Sequence, residues 1–288
     1  MLRLLRSESY RLVRRWMPWI MLAMIVIVAF VLYFLIWVSV RAQLEAVRSG
    51  TIPAPPGGTA QLEQGLRQVA PDRVAVFGVG LVAGLGSVML IIFAASHVGT
   101  EFGWGTFRTL LAHGASRRGF LVAKAVSLLI YAVVFMIVGT IATIGASYAV
   151  SAAADISVGS GVDLAEVTRA AAKSGYTFVP YMALALAIAV WAKSAGAGIA
   201  TGLVVYFAES IVAGILVSLN RDYAQVVNWG LSRNASALTR TSVTAAGDPT
   251  ALTLPDPTRA AIVLGVYAVV FLLLAYWRLR SRDVTVGG

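Results

Sequence analysis

Residues 17–40 read MPWIMLAMIVIVAFVLYFLIWVSV, 24 positions without a charge. About 20 apolar residues cross the hydrocarbon core of a bilayer, and at about 1.5 Å per residue this run reaches roughly 36 Å as a helix. Five further runs share its character, near 74–97, 121–150, 176–192, 195–219 and 260–277. The chain is 59% hydrophobic and only 12% charged, where a soluble domain carries about 25% charged residues. A soluble protein this apolar would expose patches that water does not tolerate. The first run is too long for a signal-peptide core and lacks a clear small-residue cleavage site, so it reads as a retained helix. The sequence therefore predicts an all-α polytopic membrane protein, a single transmembrane domain over 1–288 with six transmembrane helices.

Charge sets the orientation. With the N-terminus inside, the inner segments are 1–16, 98–120 with Lys124, 192–194 and 278–288. They hold thirteen Lys/Arg and three acids, Glu8, Glu101 and Asp283. The longer outer loops, 41–73, 151–175 and 220–259, hold ten Lys/Arg and nine acids. Basic residues concentrate on the short inner segments, as the positive-inside rule requires, and the topology is N-in/C-in. The net charge of +10 is read as topology, and no nucleic-acid partner is expected.

The first 16 residues carry their own pattern. Leu2, Leu5, Leu12, Val13 and Trp16 share one arc of a helical wheel, and Arg3, Arg6, Arg11, Arg14 and Arg15 occupy the rest. That describes an N-terminal amphipathic interfacial helix, suited to the anionic inner leaflet. The plainer reading is a basic flank that fixes topology. Among the outer loops, 52–58 reads IPAPPGG, a break without helical pattern. Loop 220–259 mixes Trp229, Leu231, Leu238 and Leu254 with Pro249, Pro255 and Pro257. Either it dips back toward the bilayer or it packs on itself as a small outer subdomain.

Catalytic chemistry is scarce. There is no cysteine, hence no thiolate site or disulfide. His97 and His113 lie at the inner end of the second span without metal-ligand spacing, and read as interfacial residues. Gly145-Ala146-Ser147 has no intramembrane histidine to act as its base, against a rhomboid-like protease. The three lysines each follow alanine, so none belongs to a P-loop. The chain is expected not to be an enzyme, with no catalytic, cofactor or metal residues of its own.

Residues 99–120 read GTEFGWGTFRTLLAHGASRRGF. Thr100 and Glu101 are suited to open a helix, Phe107, Leu110 and Leu111 form a short apolar ridge, and Gly114 is suited to stop it. The plainer reading is a basic loop anchored by aromatics. Glu101, Gly105, Thr106, Leu110, Leu111, Ser116, Arg117 and Lys124 match a pattern found between spans two and three of permease subunits of ABC type-2 exporters. The amphipathic N-terminus, the six spans and the long fifth-to-sixth loop extend the resemblance over the whole chain.

The resemblance implies that segment 99–120 is a coupling helix docking on a separate cytoplasmic ATP-binding-cassette ATPase through Glu101, Gly105, Thr106, Phe107, Arg108, Leu110, Leu111 and Arg117. ATP and Mg would belong to that partner. A second permease, a copy or a homologue, would complete a dimer in a bacterial or archaeal cell membrane. Export, and outer gating by re-entrant helices in loop 220–259, come from the resemblance alone. The other classes weighed are a membrane anchor or sensor that recruits a cytoplasmic partner, and a secondary transporter, which would show an internal repeat and more polar spans.

Two sets of span residues stand out. Gly80 with Gly84 and Gly198 with Gly202 have the spacing that allows close helix contact, within one permease or at a dimer seam. Glu209 is the one acid deep inside a span. A charge there costs roughly 2.5–3.5 kcal/mol on insertion scales, so it either lines a translocation path and meets substrate or bonds to a neighbouring helix.

Overall fold

The computed structural model describes residues 2–56, 58–103, 116–154, 161–239 and 254–281. Among them every regular element is helical: α1 (Leu2–Arg14), α2 (Trp16–Arg48), α3 (Gly58–Arg67), α4 (Val79–Gly103), α5 (Arg117–Ala153), α6 (Leu164–Ala192), α7 (Ala195–Leu219), α8 (Leu231–Thr239) and α9 (Pro257–Ser281). A 3-10 turn Pro71–Arg73 and a π-helical turn Val74–Gly78 lead into α4. Six of these helices are long and apolar enough to cross a membrane: α2, the stretch Pro71–Gly103, α5, α6, α7 and α9. The protein is an all-α, multi-pass membrane protein.

The helices outrun the apolar runs that announce them. α6 begins at Leu164 rather than near 176, because 164–175 carries Glu166, Arg169 and Lys173 on a helical but polar stretch. α2 continues to Arg48 for the same reason. At the far end of the second span the difference matters more. Gly99, Thr100 and Glu101 do not open a new helix; they extend α4 to Gly103. Glu101 thus sits at the partial-negative end of a helix, where an acid is disfavoured unless cations attend it.

The break between α6 and α7 is as short as the sequence indicates. Lys193 takes a positive φ of 54°, and Ser194 Oγ accepts the Ala197 N–H at 3.3 Å as the N-cap of α7. Asp256 caps α9 in the same way, accepting from the N–H groups of Thr258 and Arg259. Those two bonds hold its carboxyl below the usual carboxylate range.

The chain groups into two compact units, where the sequence reads as one domain. One comprises Met1–Trp19, Ser87–Val134 and Lys173–Gly288; the other comprises Ile20–Gly86 and Phe135–Ala172. The second unit has a core of Tyr33, Val69, Ala146 and Val150, flanked by Ile36, Trp37 and Phe77. Ser147 Oγ donates to Val69 O at 2.8 Å, tying α5 to the segment before Pro71.

In the first unit small residues bring α4, α6 and α7 together. A Cβ on Gly198 would lie 2.8 Å from Ala185 O and 2.9 Å from the Cβ atoms of Ala95 and Ala189. A Cβ on Gly202 would meet Ile91 Cγ2 at 2.6 Å. A Cβ on Gly99 would collide with the backbone of Ala195. Gly80 and Gly84 differ: a Cβ on either meets nothing within 4 Å. Their spacing matches that of Gly198 and Gly202, yet among the described residues nothing crowds the Cβ position of either.

Gly99→Ala and Gly198→Ala should each destabilise the protein by about 1–3 kcal/mol, the usual cost of overpacking. Gly80→Ala should stabilise it slightly, since alanine is favoured over glycine in an open helical position by about 1 kcal/mol. Thermal unfolding of the full chain in detergent reads the three against wild type. Equal midpoints would remove the close-packing role of Gly99 and Gly198.

Candidate functional site

The most polar place in the first unit is buried. Glu8 and Arg11 of α1, with Arg15 just beyond it, recur at i, i+3 and i+7 and so share a helical face. Phe93, His97 and Glu101 do the same on α4, and Lys124 and Ser127 on α5. Lys124 and Glu101 are 0% exposed, and Glu8 is 3% exposed. The Lys124 ammonium donates to Glu8 Oε2 at 2.7 Å and to Glu101 Oε1 at 3.0 Å. Arg15 donates to Glu101 Oε1 at 3.2 Å. Arg11 lies 3.6 Å from a Glu8 carboxylate oxygen and 3.7 Å from one of Glu101. His97 Nε2 is 3.1 Å from Ser127 Oγ and 3.6 Å from Glu8 Oε2, with its ring stacked on Phe93.

The energetics explain why these groups come as a set. Removing an ammonium or a carboxylate from water costs several kcal/mol, returned only when each charge finds good partners. Three cations surround two carboxylates here, so neither sign is left alone. The result ties α1 to α4 and α5 through groups up to 116 residues apart in the chain. Arg11 and Arg15, which the wheel places on the headgroup-facing side, point inward to acids instead. His97 is buried within the cluster. Among the described residues no group of three or more His, Cys, Asp or Glu could hold a metal.

The sequence-predicted coupling residues fall into three groups. Gly105, Thr106, Phe107, Arg108, Leu110 and Leu111, like Gly114 and His113, lie outside the described residues. Glu101 is buried in the charge cluster and presents no surface to a docking partner. Arg117 heads α5 and donates to the carbonyls of Leu279 at 2.7 Å and Arg280 at 3.0 Å, closing the last turn of α9. Glu8 is the residue sequence reasoning passed over, counted merely as an inner acid. A signal existed: it is the one acid among residues 1–16, in a stretch with five arginines.

Glu209 has a protein partner. Its Oε1 accepts the Ser232 N–H at 2.9 Å, capping the N-terminus of α8 with an acid from α7. A Cβ on Gly230 would meet Glu209 Oε1, so a larger residue there would push the carboxylate aside. Tyr267 of α9 donates to Trp229 O at 3.1 Å, and Asn234 Nδ2 donates to the carbonyls of Asn228 and Gly230. Glu209 lies ten residues before the end of α7 and Tyr267 ten after the start of α9, each about 15 Å along its helix. Residues 229–232 therefore sit well down along both helices. The described part of loop 220–259 thus packs against α7 and α9.

Fold and site together define a six-span membrane protein whose first, amphipathic helix is bound to the bundle by buried ion pairs. A family model described as "Protein of unknown function (DUF2705)" matches residues 80–285, and the chain belongs to that family. No curated protein matches it.

Lys124→Met should destabilise the protein by about 3–5 kcal/mol, because two buried carboxylates lose their central cation. Adding Glu8→Gln and Glu101→Gln should recover most of that loss, since the uncompensated charge is then gone; unfolding in detergent reads both steps. For the second polar site, Glu209→Leu should cost about 1–2 kcal/mol, the size of a lost N-cap. Glu209→Gln keeps an acceptor oxygen and should cost less; equal losses would mean that the charge, not the accepting oxygen, holds α8.

Proposed function

We propose that this chain is the transmembrane permease subunit of an ATP-binding-cassette exporter, driven by a separate cytoplasmic ATPase. It is N-in/C-in in a bacterial or archaeal cell membrane and works with a second permease.

The observation that carries this reading is the anchoring on both sides of segment 104–115. Two residues before Gly103, Glu101 is locked to α1 and α5. Just after the segment, Arg117 is bonded to the end of α9. A force applied to the segment therefore reaches α1, α4, α5 and α9 directly. Such a linkage suits a motor that docks from the cytoplasm and moves spans as rigid bodies. The phosphate-binding loop that such a motor needs does not occur in this chain. Glu101 becomes a positioning residue in this scheme, and the docking contact falls to Phe107, Leu110 and Leu111. Glu209 holds the outer re-entrant turn rather than meeting substrate.

The test is purification of the tagged full chain from its host in mild detergent, with mass spectrometry of what accompanies it. An ATPase subunit containing a P-loop should come in stoichiometric amount. The double variant Leu110→Asp/Leu111→Asp should deplete it about tenfold or more, as loss of a buried apolar anchor does. Glu101→Ala is a poor probe because it unpairs the buried cluster. If a folded chain brings no ATPase, the exporter reading fails and an anchor or sensor role replaces it.

A further inference from the structure

The first unit has a shallow apolar cleft between α5, α6 and α9, open along one side and lined by residues that include Leu128, Leu129, Val179, Met182, Leu186 and Leu272. The lining is entirely apolar, so the cleft offers hydrocarbon contact and no hydrogen bond. It opens on a face where Leu129 and Val122 are exposed, and in a bilayer that face is bathed in acyl chains.

The α5 wall of the cleft continues toward a cation. Arg118, Val122, Ala125 and Leu129 recur at i, i+4, i+7 and i+11, one side of a helix. On α9, Leu272 and Tyr276 stand one turn apart on a shared side. Arg118 Nε donates to Tyr276 Oη, and its guanidinium lies over the Tyr276 ring, 5.2 Å from the centroid. The bond joins the two walls about 10 Å along α5 from Ala125. One edge of the guanidinium is fixed and the side chain is exposed.

Arginine supplies the rest of this rim. Arg117 lies on the carbonyls of Leu279 and Arg280, Arg278 lies over the Trp191 ring at 5.5 Å, and Arg280 is exposed. Among the described residues Arg118, Arg278 and Arg280 form no ion pair. Arg118 stands in the first turn of α5, where the helix dipole disfavours a cation and favours an anion. A positive rim at one end of an apolar cleft between spans is complementary to one molecule that is anionic at one end and hydrocarbon at the other.

We propose that this cleft binds one anionic phospholipid, its phosphate on the outward edge of Arg118 and an acyl chain along Leu129, Met182 and Leu272. Tyr276 positions the guanidinium, and Arg278 and Arg280 add long-range attraction. The site does not depend on the export reading.

The experiment uses the full chain, delipidated in detergent. It is titrated separately with dioleoyl phosphatidylglycerol and dioleoyl phosphatidylcholine, and bound lipid is counted by native mass spectrometry. Wild type should prefer the anionic lipid about fivefold, the value of one well-placed arginine near a lipid surface. Arg118→Gln should abolish the preference, and Arg118→Lys should keep most of it. Leu129→Trp should weaken both lipids alike by filling the cleft. Arg118 and Leu129 are exposed, and unchanged thermal midpoints without lipid confirm that the variants fold. The proposal is overturned if wild type binds both lipids equally or if the preference survives Arg118→Gln. It is equally overturned if glycerol 3-phosphate competes as well as the lipid, for then the cleft has no part.

Discussion

A lysine ammonium with no access to solvent has to be matched by acids, and in this protein the acids come from two other helices. Lys124 is reached by Glu8 of α1 and Glu101 of α4. Neither acid could stand at its position without that cation and the two arginines behind it. Glu101 is placed by α4 at the unfavourable end of a helix dipole. Glu8 is buried where α1 docks, and Lys124 and Arg11 meet it there. The charges thus hold one another in place, and the geometry of α1, α4 and α5 follows from their mutual need.

That constraint also gives α1 two distinct sides. Glu8, Arg11 and Arg15 turn toward the bundle, while Tyr10, Val13 and Trp16 remain exposed. A basic amphipathic helix usually reserves its cations for lipid phosphates; here two of them serve as internal counter-ions. The same economy recurs in the turn before α8, where Glu209 supplies the cap that the short helix lacks from its own sequence. In both places a span carries an acid because a neighbouring helix has donors to meet it, as polar groups inside a bilayer require.

Much of the fold is legible because the bilayer imposes a local rule. An uncharged run of about 20 residues has few alternatives to a spanning helix, so all six spans can be read without knowing their neighbours. The polar extensions are not legible this way. Residues 164–175 form helix although they carry three charges, and Gly58–Arg67 forms helix within a loop that reads as a break. The site was legible in part. Glu101, Arg117 and Lys124 were singled out, but as elements of a docking motif; their burial and their bonds to Glu8 and to the α9 carbonyls left no trace in local pattern. Glycine spacing was equally ambiguous. Gly80/Gly84 and Gly198/Gly202 look alike in sequence, but among the described residues it is the second pair whose Cβ positions are crowded by other helices.

By itself the sequence determined that this is an all-α membrane protein of six spans, with basic residues gathered on one set of short loops. Hydrophobic length and charge density act residue by residue, so no partner is needed to read them. Tertiary structure alone decided which charges pair, which glycines are crowded, and that residues 229–232 return along α7 and α9. Most of those outcomes join groups far apart in the chain, 23 positions for Glu209 and Ser232 and 116 for Glu8 and Lys124. Such pairings are set by how helices pack and by which buried charge each one must satisfy, and no periodicity within a single helix records them.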